Sequence, residues 1–403
     1  ASQAPPVVKE ATFHPAALHP LTPALLPTPL SYADVYVDDF IGLCHPQLAS
    51  QTLRHILHAI SAVFRHDPHP DDAPARKQII SASKLAQGDG AWSTNKVVLG
   101  WQLDTAAKTL ALPSHKADRL HTIIASFLQL GRTSRRKWQQ LLGELRHMAT
   151  AIRGASYLFS ILQHVLVDQP NTSRLRLPPL VKSSLADWQL LARSLAVYPV
   201  PITSLVPRAP SYVAAVDASG QGCGGIILPT QLSPVTTPLA FRWPFPHHIV
   251  QQLVSASNPS GTITNSDLEL AAIVLGVSTL TSVTPTNYDL LLCASDNTPA
   301  VAWCTKGSSS SMSPNAFLLR LLAQLGRQHK VDVNPISVPG HTNDIADFCS
   351  RSFSLSDQAF AHELNSRFPI YPGWTIVPPT PSMQSQVTSC LLRELLPWAS
   401  VSP

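Results

Sequence analysis

Charged residues and paired cysteines are both scarce in this 403-residue sequence. Lysine, arginine, aspartate and glutamate together make up 13% of the chain, whereas apolar residues make up 44% and allow a sizeable core. None of the six cysteines forms a C-x-x-C pair, which argues against a zinc site. The cysteines are scattered through apparent core segments, as is typical of reduced thiols inside a cell.

Long apolar runs, a secretory signal and internal repeats are also missing. A membrane-spanning helix needs about 18 or more apolar residues in a row, and we find no such run. The start, ASQAPPVVKE, lacks the basic-then-apolar order of a signal peptide. We therefore expect an intracellular protein, in the cytoplasm or nucleus, without a membrane partner. The net charge of +5 is compatible with a nucleic-acid partner.

Proline, by contrast, is abundant, with 37 residues in the chain. It clusters near the N-terminus, at 178–179, at 199–210 and at 378–381, where it predicts linkers and boundaries. The stretch 198–211 is the best candidate for the entry to a C-terminal domain.

Four carboxylates stand in four separate contexts in the second half of the chain. Asp217 and Asp296 each end an apolar run that predicts a buried strand, in AAVDASG and CASDNTPAVAW. Glu269 lies in a helical stretch, DLELAAIVLGV, and Asp347 follows a Pro-Gly turn at a helical start. Acids that converge from strand ends and helix starts can hold two Mg²⁺ ions, which is how phosphodiesters are cut by in-line attack of water.

Each acid also has a simpler explanation when it is taken alone. An aspartate at a strand end is more often a helix N-cap than a metal ligand, and Asp296 could be only that. Four acids in this order, with these elements between them, are far less expected by chance.

An acidic pair lies in the first half of the chain, in YVDDFIGL. Asp38 and Asp39 are flanked by apolar β-formers, which predicts a tight hairpin with an acidic tip. Adjacent carboxylates repel one another unless a cation or hydrogen-bond donors compensate. The alternative is a polar turn between two strands.

A basic face is predicted on the helices that follow, and it suits contact with phosphates. The alternative is an ordinary solvated helix face. The residues of this face are Arg132, Arg135, Arg136, Lys137, Arg146 and Arg153.

The order strand-Asp, helix-Glu, strand-Asp, helix-Asp resembles ribonuclease H. VDASGQGCGGII resembles the first hairpin of that family, and VPGHTNDIADFCSR resembles the closing motif of gypsy-type and DIRS-type retroelements. The resemblance implies cleavage of RNA in RNA–DNA hybrids with two Mg²⁺ ions, or with Mn²⁺ instead. It assigns metal binding and catalysis to Asp217, Glu269, Asp296 and Asp347. Asp344 is a rival for the last place, but the family's acid follows Ala, which favours Asp347.

The same resemblance extends to neighbouring residues. It implies a catalytic role for His341 in the loop before the last helix. Ser219, Asn297 and Asn343 lie beside the acids and are predicted to contact the substrate.

The Tyr-Val-Asp-Asp tetrad resembles the palm motif of reverse transcriptases. In that family the first Asp binds catalytic Mg²⁺ and the second shapes the site, which assigns these roles to Asp38 and Asp39. SASKLAQGDGAWSTNKVVLGWQLD resembles the end of the palm, including the strand hairpin that grips the primer terminus. The family's first palm strand, which carries another metal-binding Asp, has no counterpart in residues 1–35. We therefore expect no polymerase activity from this chain without a fingers and palm segment or a partner chain.

These resemblances imply an α/β (α+β) protein with a partial palm, a helical thumb and connection, and a ribonuclease H-like mixed five-stranded sheet flanked by helices. Palm strands are predicted near 78–84 and 97–112. The predicted parts are a Pro-rich segment (1–30), the palm (31–114), the thumb and connection (115–198), the ribonuclease H-like domain (211–355) and an extended tail (356–403).

Alternatives from other classes remain open. The chain could be a catalytically inactive nucleic-acid binder, or a structural subunit that supports a catalytic partner. It could also be a polymerase that the N-terminal segment completes in an unforeseen way.

Overall fold

The chain divides by its internal contacts into two units, residues 1–94 and 95–403. The computed structural model describes residues 31–36, 39–63, 81, 83–84, 87–88, 90–152, 154–170, 173–206, 208–231, 237–309, 312–370 and 373–397. The fold is mixed α/β, and its largest sheet contains both parallel and antiparallel strands.

The first unit contains the predicted acidic hairpin. Strands β1 (Ser31–Tyr36) and β2 (Asp39–Cys44) pair antiparallel, and helix α1 (Ala49–Val63) follows. This confirms the hairpin that the alternating pattern predicted over 31–43. Its tip, including Asp38, lies outside the described residues, and so does the side chain of Asp39. The metal-binding role of Asp38 and the site-shaping role of Asp39 therefore stay predictions.

The strand predicted near 78–84 is not observed. Residues 83 and 84 are helical, and most of the remaining positions lie outside the described residues.

The second unit begins with a small antiparallel sheet and four helices. The sheet has the order β3-β4-β5-β8, and β6 pairs with β7 in a separate ribbon. The strands are β3 (Asn95–Val98), β4 (Trp101–Asp104), β5 (Thr109–Ala111), β6 (Arg132–Ser134), β7 (Arg174–Arg176) and β8 (Val200–Pro201). The helices are α2 (Ser114–Gln129), α3 (Arg135–Ala149), α4 (Phe159–Asp168) and α5 (Pro179–Val197). Local sequence explains where two of them start, because Ser134 caps α3 through the Lys137 N–H and Pro179 is the first residue of α5.

The larger sheet of this unit has the order β13-β12-β9-β10-β11-β14. Its strands are β9 (Tyr212–Ala218), β10 (Gly222–Pro229), β11 (Leu239–Pro244), β12 (Asp289–Ser295), β13 (Val331–Ser337) and β14 (Thr375–Ile376). Strands β9, β10 and β11 form an antiparallel meander, while β12 runs parallel to both β9 and β13. Such a parallel pair requires a helical crossover, which the chain supplies between the strands.

Helices cover this sheet and connect its strands. They are α6 (His247–Val250), α7 (Asn265–Val283), α8 (Thr298–Lys306), α9 (Pro314–His329), α10 (Asp344–Arg351), α11 (Asp357–Arg367) and α12 (Pro381–Leu391). Helix α7 is apolar on all sides, and every residue from 267 to 280 is buried. It is the one described helix long and apolar enough to cross a membrane, and its burial identifies it as a core helix.

One hydrophobic core runs from the helices at 114–197 into the larger sheet. Helix α9 is central to it, with residues 314–325 buried throughout. The backbone N–H of Ser309 donates to Ser160 Oγ at 2.9 Å, and Gly154 lies against Ala323. The predicted division into a thumb and connection domain and a ribonuclease H-like domain stays a prediction, since packing is continuous between them.

Two predictions about the end of the chain are wrong. The sheet has six strands instead of five, because β14 pairs parallel with β11. The segment 356–403, predicted as an extended tail, forms α11 and α12 within its described part. Buried side chains explain the difference, since Phe360, Trp374 and Val387 all pack into the core. The prolines of 369–381 interrupt the apolar pattern around β14 and at the start of α12.

Candidate metal centre

Two of the predicted acids meet at one edge of the larger sheet. Asp217 is the sixth residue of β9, and Asp296 directly follows β12. Strands β9 and β12 are parallel neighbours, so their carboxyl ends lie side by side. Asp217 is buried and Asp296 is exposed. The topology therefore brings together two residues that are far apart in the sequence.

Glu269 reaches the same place from the first turns of α7. A capping box fixes where this helix begins, because Thr264 Oγ1 accepts from the Asp267 N–H and Asp267 accepts from the Thr264 N–H. Asp267 is itself buried and also accepts from the backbone N–H of Asn315 at 3.1 Å. These bonds fix the start of α7. Glu269 lies two residues after Asp267 and is only 2% exposed.

The three carboxylates form a tight group. Asp217, Glu269 and Asp296 each offer an oxygen, and these atoms lie within 4.8 Å of one another. In the described part of the chain, no lysine or arginine forms an ion pair with any of the three. The charge of Arg351 acts on Asp217 from a distance and lowers its pKa, but it forms no ion pair with it. Oxygen ligands that repel one another at this spacing, without an ion-paired base, suit a divalent cation. This cluster can bind a metal ion.

The electrostatics of the group agree with that conclusion. Burial, followed by the charges of Asp217 and Asp296, raises the pKa of Glu269 from 4.5 to about 9. Burial also raises the pKa of Asp217, and the charges of Asp296 and Asp347 add to this effect. Hydrogen bonds act in the opposite direction: Ser350 lowers the pKa of Asp217, and the Ala218 N–H and Ser295 lower that of Glu269. The shifts identify a site where negative charge is poorly compensated.

Asp347 lies near this group but outside it. It occupies the first turn of α10, and its Oδ1 accepts a hydrogen bond from Arg351 Nε at 2.5 Å. Its charge is close enough to raise the pKa of Asp217. The rival, Asp344, is the exposed first residue of the same helix. The choice of Asp347 as the fourth ligand stays a prediction.

His341 lies in the short turn that enters α10. The turn spans Gly340–Thr342, and the His341 side chain is exposed. The backbone at Gly340 lies close to the three carboxylates, because a Cβ built there would lie 3.0 Å from Asp296 Oδ2. The loop that carries His341 therefore borders the site. The catalytic role of His341 stays a prediction.

The polar residues predicted to contact substrate form hydrogen bonds within the protein. Asn343 is buried and donates from Nδ2 to the Val216 carbonyl at 3.0 Å. Asn297 caps α8 by accepting from the Ala300 N–H at 3.0 Å. Ser219 is buried, and its hydroxyl donates to the Ser350 carbonyl at 2.8 Å. These bonds stabilise the elements around the acids, so substrate contact by Asn297 and Asn343 stays a prediction.

The predicted basic face is only partly available to a ligand. Arg132, Arg136, Lys137 and Arg146 are exposed. Arg135 donates to the carbonyls of Gln169 and Pro170, which follow the C-terminal end of α4. Its cation therefore satisfies backbone acceptors that a helix end leaves free. Arg153 lies outside the described residues.

Helices α2 and α3 border an open groove of about 590 Å³ beside this basic face. Lys137, Gln140 and His147 line it from α3, and Arg119 lines it from α2. The turn between β3 and β4 lies beside Lys116 and His147, which line an adjoining pocket. Gly100 adopts a φ of 83° there, and a Cβ at that position would clash with Lys116 Nζ.

Sequence reasoning did not identify Ser350 and Arg351 as parts of the site. Ser350 is fully buried and donates from its hydroxyl to Asp217 Oδ2. Arg351 pairs with Asp347 on the adjacent turn of the helix. Both residues stand in the closing motif VPGHTNDIADFCSR, three and four residues after Asp347, and such residues share one helix face with it.

Comparisons with known proteins are sparse. No protein-family model and no curated protein matches the chain. Three solved structures of a foamy viral protease-reverse transcriptase align with parts of it. The complex with RNA/DNA hybrid aligns with 61% of this chain and 30% of that chain, at 11% identity and a TM-score of 0.25. A complex with double-stranded DNA aligns with 87% and 63%, at 9% identity and a TM-score of 0.26.

A third structure, the dRH form in complex with double-stranded DNA, aligns with 60% of this chain and 38% of that chain. Its identity is 9% and its TM-score is 0.24. The chain thus spans less than two thirds of each of these three proteins. At such scores the alignments establish neither a shared overall arrangement nor an activity.

Proposed function

We propose that this chain is a ribonuclease H, which cleaves the RNA strand of RNA–DNA hybrids with Mg²⁺ and derives from a retroelement reverse transcriptase. The observation that carries the proposal is the convergence of Asp217, Glu269 and Asp296 within 4.8 Å, from two strands and a helix. The order of these acids along the chain, with Asp347 on a following helix, is the order expected for ribonuclease H.

Each acid has a defined part in this proposal. Asp217, Glu269 and Asp296 hold the cations. Asp347 becomes the fourth ligand when its carboxylate binds a cation in place of Arg351. Mg²⁺ prefers such carboxylate oxygens, and Mn²⁺ accepts the same donors. When bound, a pair of such ions would stabilise the attacking and leaving oxygens of an in-line displacement. The exposure of Asp296 leaves that side of the cluster open to a phosphodiester.

The helices α2 and α3 are proposed to bind the duplex. Arg132, Arg136, Lys137 and Arg146 present exposed cations. The neighbouring groove is lined by polar and apolar side chains, and it includes the ion pair of Arg119 and Glu144. Contacts of this kind neutralise phosphates without reading the base sequence. Recognition of the RNA strand would come from its 2′-hydroxyl groups.

The direct test is a cleavage assay on a hybrid labelled in its RNA strand, with the full chain in Mg²⁺ or Mn²⁺. We expect metal-dependent cleavage that Asp217→Asn abolishes. Asp168→Asn is a matched control, because Asp168 is an exposed aspartate at the end of α4. Its activity should equal that of the unmodified chain.

An unmodified chain that binds the hybrid but does not cleave it with either metal would contradict the proposal. That result would favour the inactive nucleic-acid binder.

A further inference from the structure

The side chain of Ser350 connects α10 to the carboxylate cluster of Asp217, Glu269 and Asp296. It is completely buried, and its hydroxyl donates to Asp217 Oδ2. Asp347 lies three residues earlier in the same helix. One short helix thus carries a predicted metal ligand and also a hydrogen-bond donor to a second ligand.

The hydroxyl has two acceptors within reach. The other is the Asp347 carbonyl of its own helix, at 3.0 Å. A serine hydroxyl has a single hydrogen and can donate it fully to only one acceptor at a time. A carboxylate is the stronger acceptor because the bond to it is charge-assisted. The bond to Asp217 is therefore the one that the hydroxyl makes.

The backbone around Ser350 is held in place on both sides. At its C-terminal end, the Ser350 carbonyl accepts from Ser219 Oγ, just beyond β9. At its N-terminal end, Asn343 Nδ2 donates to the Val216 carbonyl within β9. Helix α10 is consequently anchored at both ends to the chain segment that carries Asp217, and the Ser350 hydroxyl cannot drift from its acceptor.

We propose that Ser350 is a positioning residue, whose hydroxyl fixes the orientation of the Asp217 carboxylate so that its other oxygen faces the cation shared with Glu269 and Asp296. The inference rests on the proposed function and names a residue on which metal affinity depends. A carboxylate ligand that lacks such a partner rotates among several orientations and loses part of its affinity for the ion. Removing partners of this kind typically costs ~10- to 100-fold in metal affinity or activity.

The test is a calorimetric titration of the full chain with Mn²⁺ alone, for the unmodified chain, Ser350→Ala and Ser350→Thr. We expect ~10- to 100-fold weaker Mn²⁺ binding for Ser350→Ala and recovery in Ser350→Thr, which restores a hydroxyl. On a labelled hybrid, kcat should fall while KM is unchanged, since the duplex contacts remain. Ser184→Ala is the matched control, because Ser184 is also fully buried and its hydroxyl has no partner among the described residues.

The outcomes separate the two hypotheses. Ser350→Ala that binds Mn²⁺ as tightly as the unmodified chain overturns the positioning role and leaves the proposed function standing. The same applies if both alanine variants lose affinity equally, in step with a lower unfolding temperature. If Ser350→Thr does not fold, the comparison of Ser350→Ala with Ser184→Ala decides. An unmodified chain that binds no Mn²⁺ overturns the proposed function and the inference together.

Discussion

The guanidinium of Arg320 forms two hydrogen bonds with the Asp187 carboxylate, at 2.7 Å from Nε and 2.9 Å from Nη2. Both side chains are at least 95% buried, and they join α9 to α5. Burial alone raises the pKa of Asp187, and the Arg320 cation opposes that shift. The pair therefore connects the helical segment to the helix that backs the larger sheet, at a place where an unpaired charge is costly.

Breaking this pair should destabilise the chain strongly. Arg320→Met leaves the Asp187 carboxylate buried without its partner, and we expect a loss of about 3–5 kcal/mol in the free energy of unfolding. The double variant Asp187→Leu/Arg320→Met should recover most of that loss, because it removes both charges. Urea denaturation followed by circular dichroism measures both effects.

The exposed pair of Arg367 and Glu363 is the control for this experiment. Arg367→Met should cost about 1 kcal/mol or less. Equal losses for Arg320→Met and Arg367→Met would show that burial of the Arg320–Asp187 pair has no energetic consequence.

Metal-free chain should become less stable as the pH rises, because of Glu269. Its pKa is about 9 in the folded chain against 4.5 in the reference state, so the folded chain binds more protons between these values. The free energy of unfolding therefore falls with pH across that range, by at most about 1.4 kcal/mol per pH unit from this group. Glu269→Gln should flatten the slope of unfolding free energy against pH measured in EDTA.

Mg²⁺ should reverse this trend. Binding requires the carboxylates in their charged form, so affinity should rise with pH and protons should be released. Unfolding temperatures measured with and without Mg²⁺ at several pH values test this. A stabilisation by Mg²⁺ that does not grow with pH would contradict a role for Glu269 as ligand.

Gly224→Ala should damage both stability and cleavage. A Cβ at this position would lie 2.7 Å from the backbone carbon of Cys349, so α10 would have to move away from β10. We expect a loss of about 1–3 kcal/mol and a large drop in activity, since α10 carries Asp347. Gly143→Ala is the opposite case, because nothing lies within 4 Å of its added Cβ. In a helix interior it should stabilise by about 0.5–1 kcal/mol, as thermal unfolding would show.

Arg136 and Lys137 should govern the salt dependence of hybrid binding. Each substitution by Gln should reduce the slope of log K against log salt concentration by about 1, uniformly across hybrid sequences. Fluorescence anisotropy at several salt concentrations measures this slope. Arg135→Gln should instead lower stability, because Arg135 serves backbone carbonyls of Gln169 and Pro170. An unchanged slope in both Arg136→Gln and Lys137→Gln would exclude this helix face from binding.

Much of the fold around the metal cluster could be predicted from local sequence. The strand at 212–218 is an apolar run with Asp217 near its end, and Asp296 directly follows the strand at 289–295. The helix at 265–283 begins with a capping box. These signals lie within a few neighbouring residues. The convergence of Asp217 and Asp296 was implied by the resemblance to ribonuclease H, and the parallel pairing of β9 with β12 accounts for it.

Other features depend on contacts between distant segments and left no local signal. Asn343 looks like a polar loop residue, yet its amide is used by the Val216 carbonyl. Arg135 belongs to a run of basic residues, but its partners follow α4. The elements after residue 356 are stabilised by burial of Phe360 and Trp374 against the sheet. The local sequence pattern does not reveal this burial.

The late position of β14 and α12 in the chain has a consequence for synthesis on the ribosome. The strand protects the outer edge of β11, and α12 covers α9, yet both emerge after every other element of the sheet. Until they arrive, the nascent chain exposes an open strand edge and an apolar helix surface, which are sites of mispairing with other polypeptides. We therefore expect the sheet and its helical cover to reach their final form only after β14 and α12 leave the ribosomal tunnel.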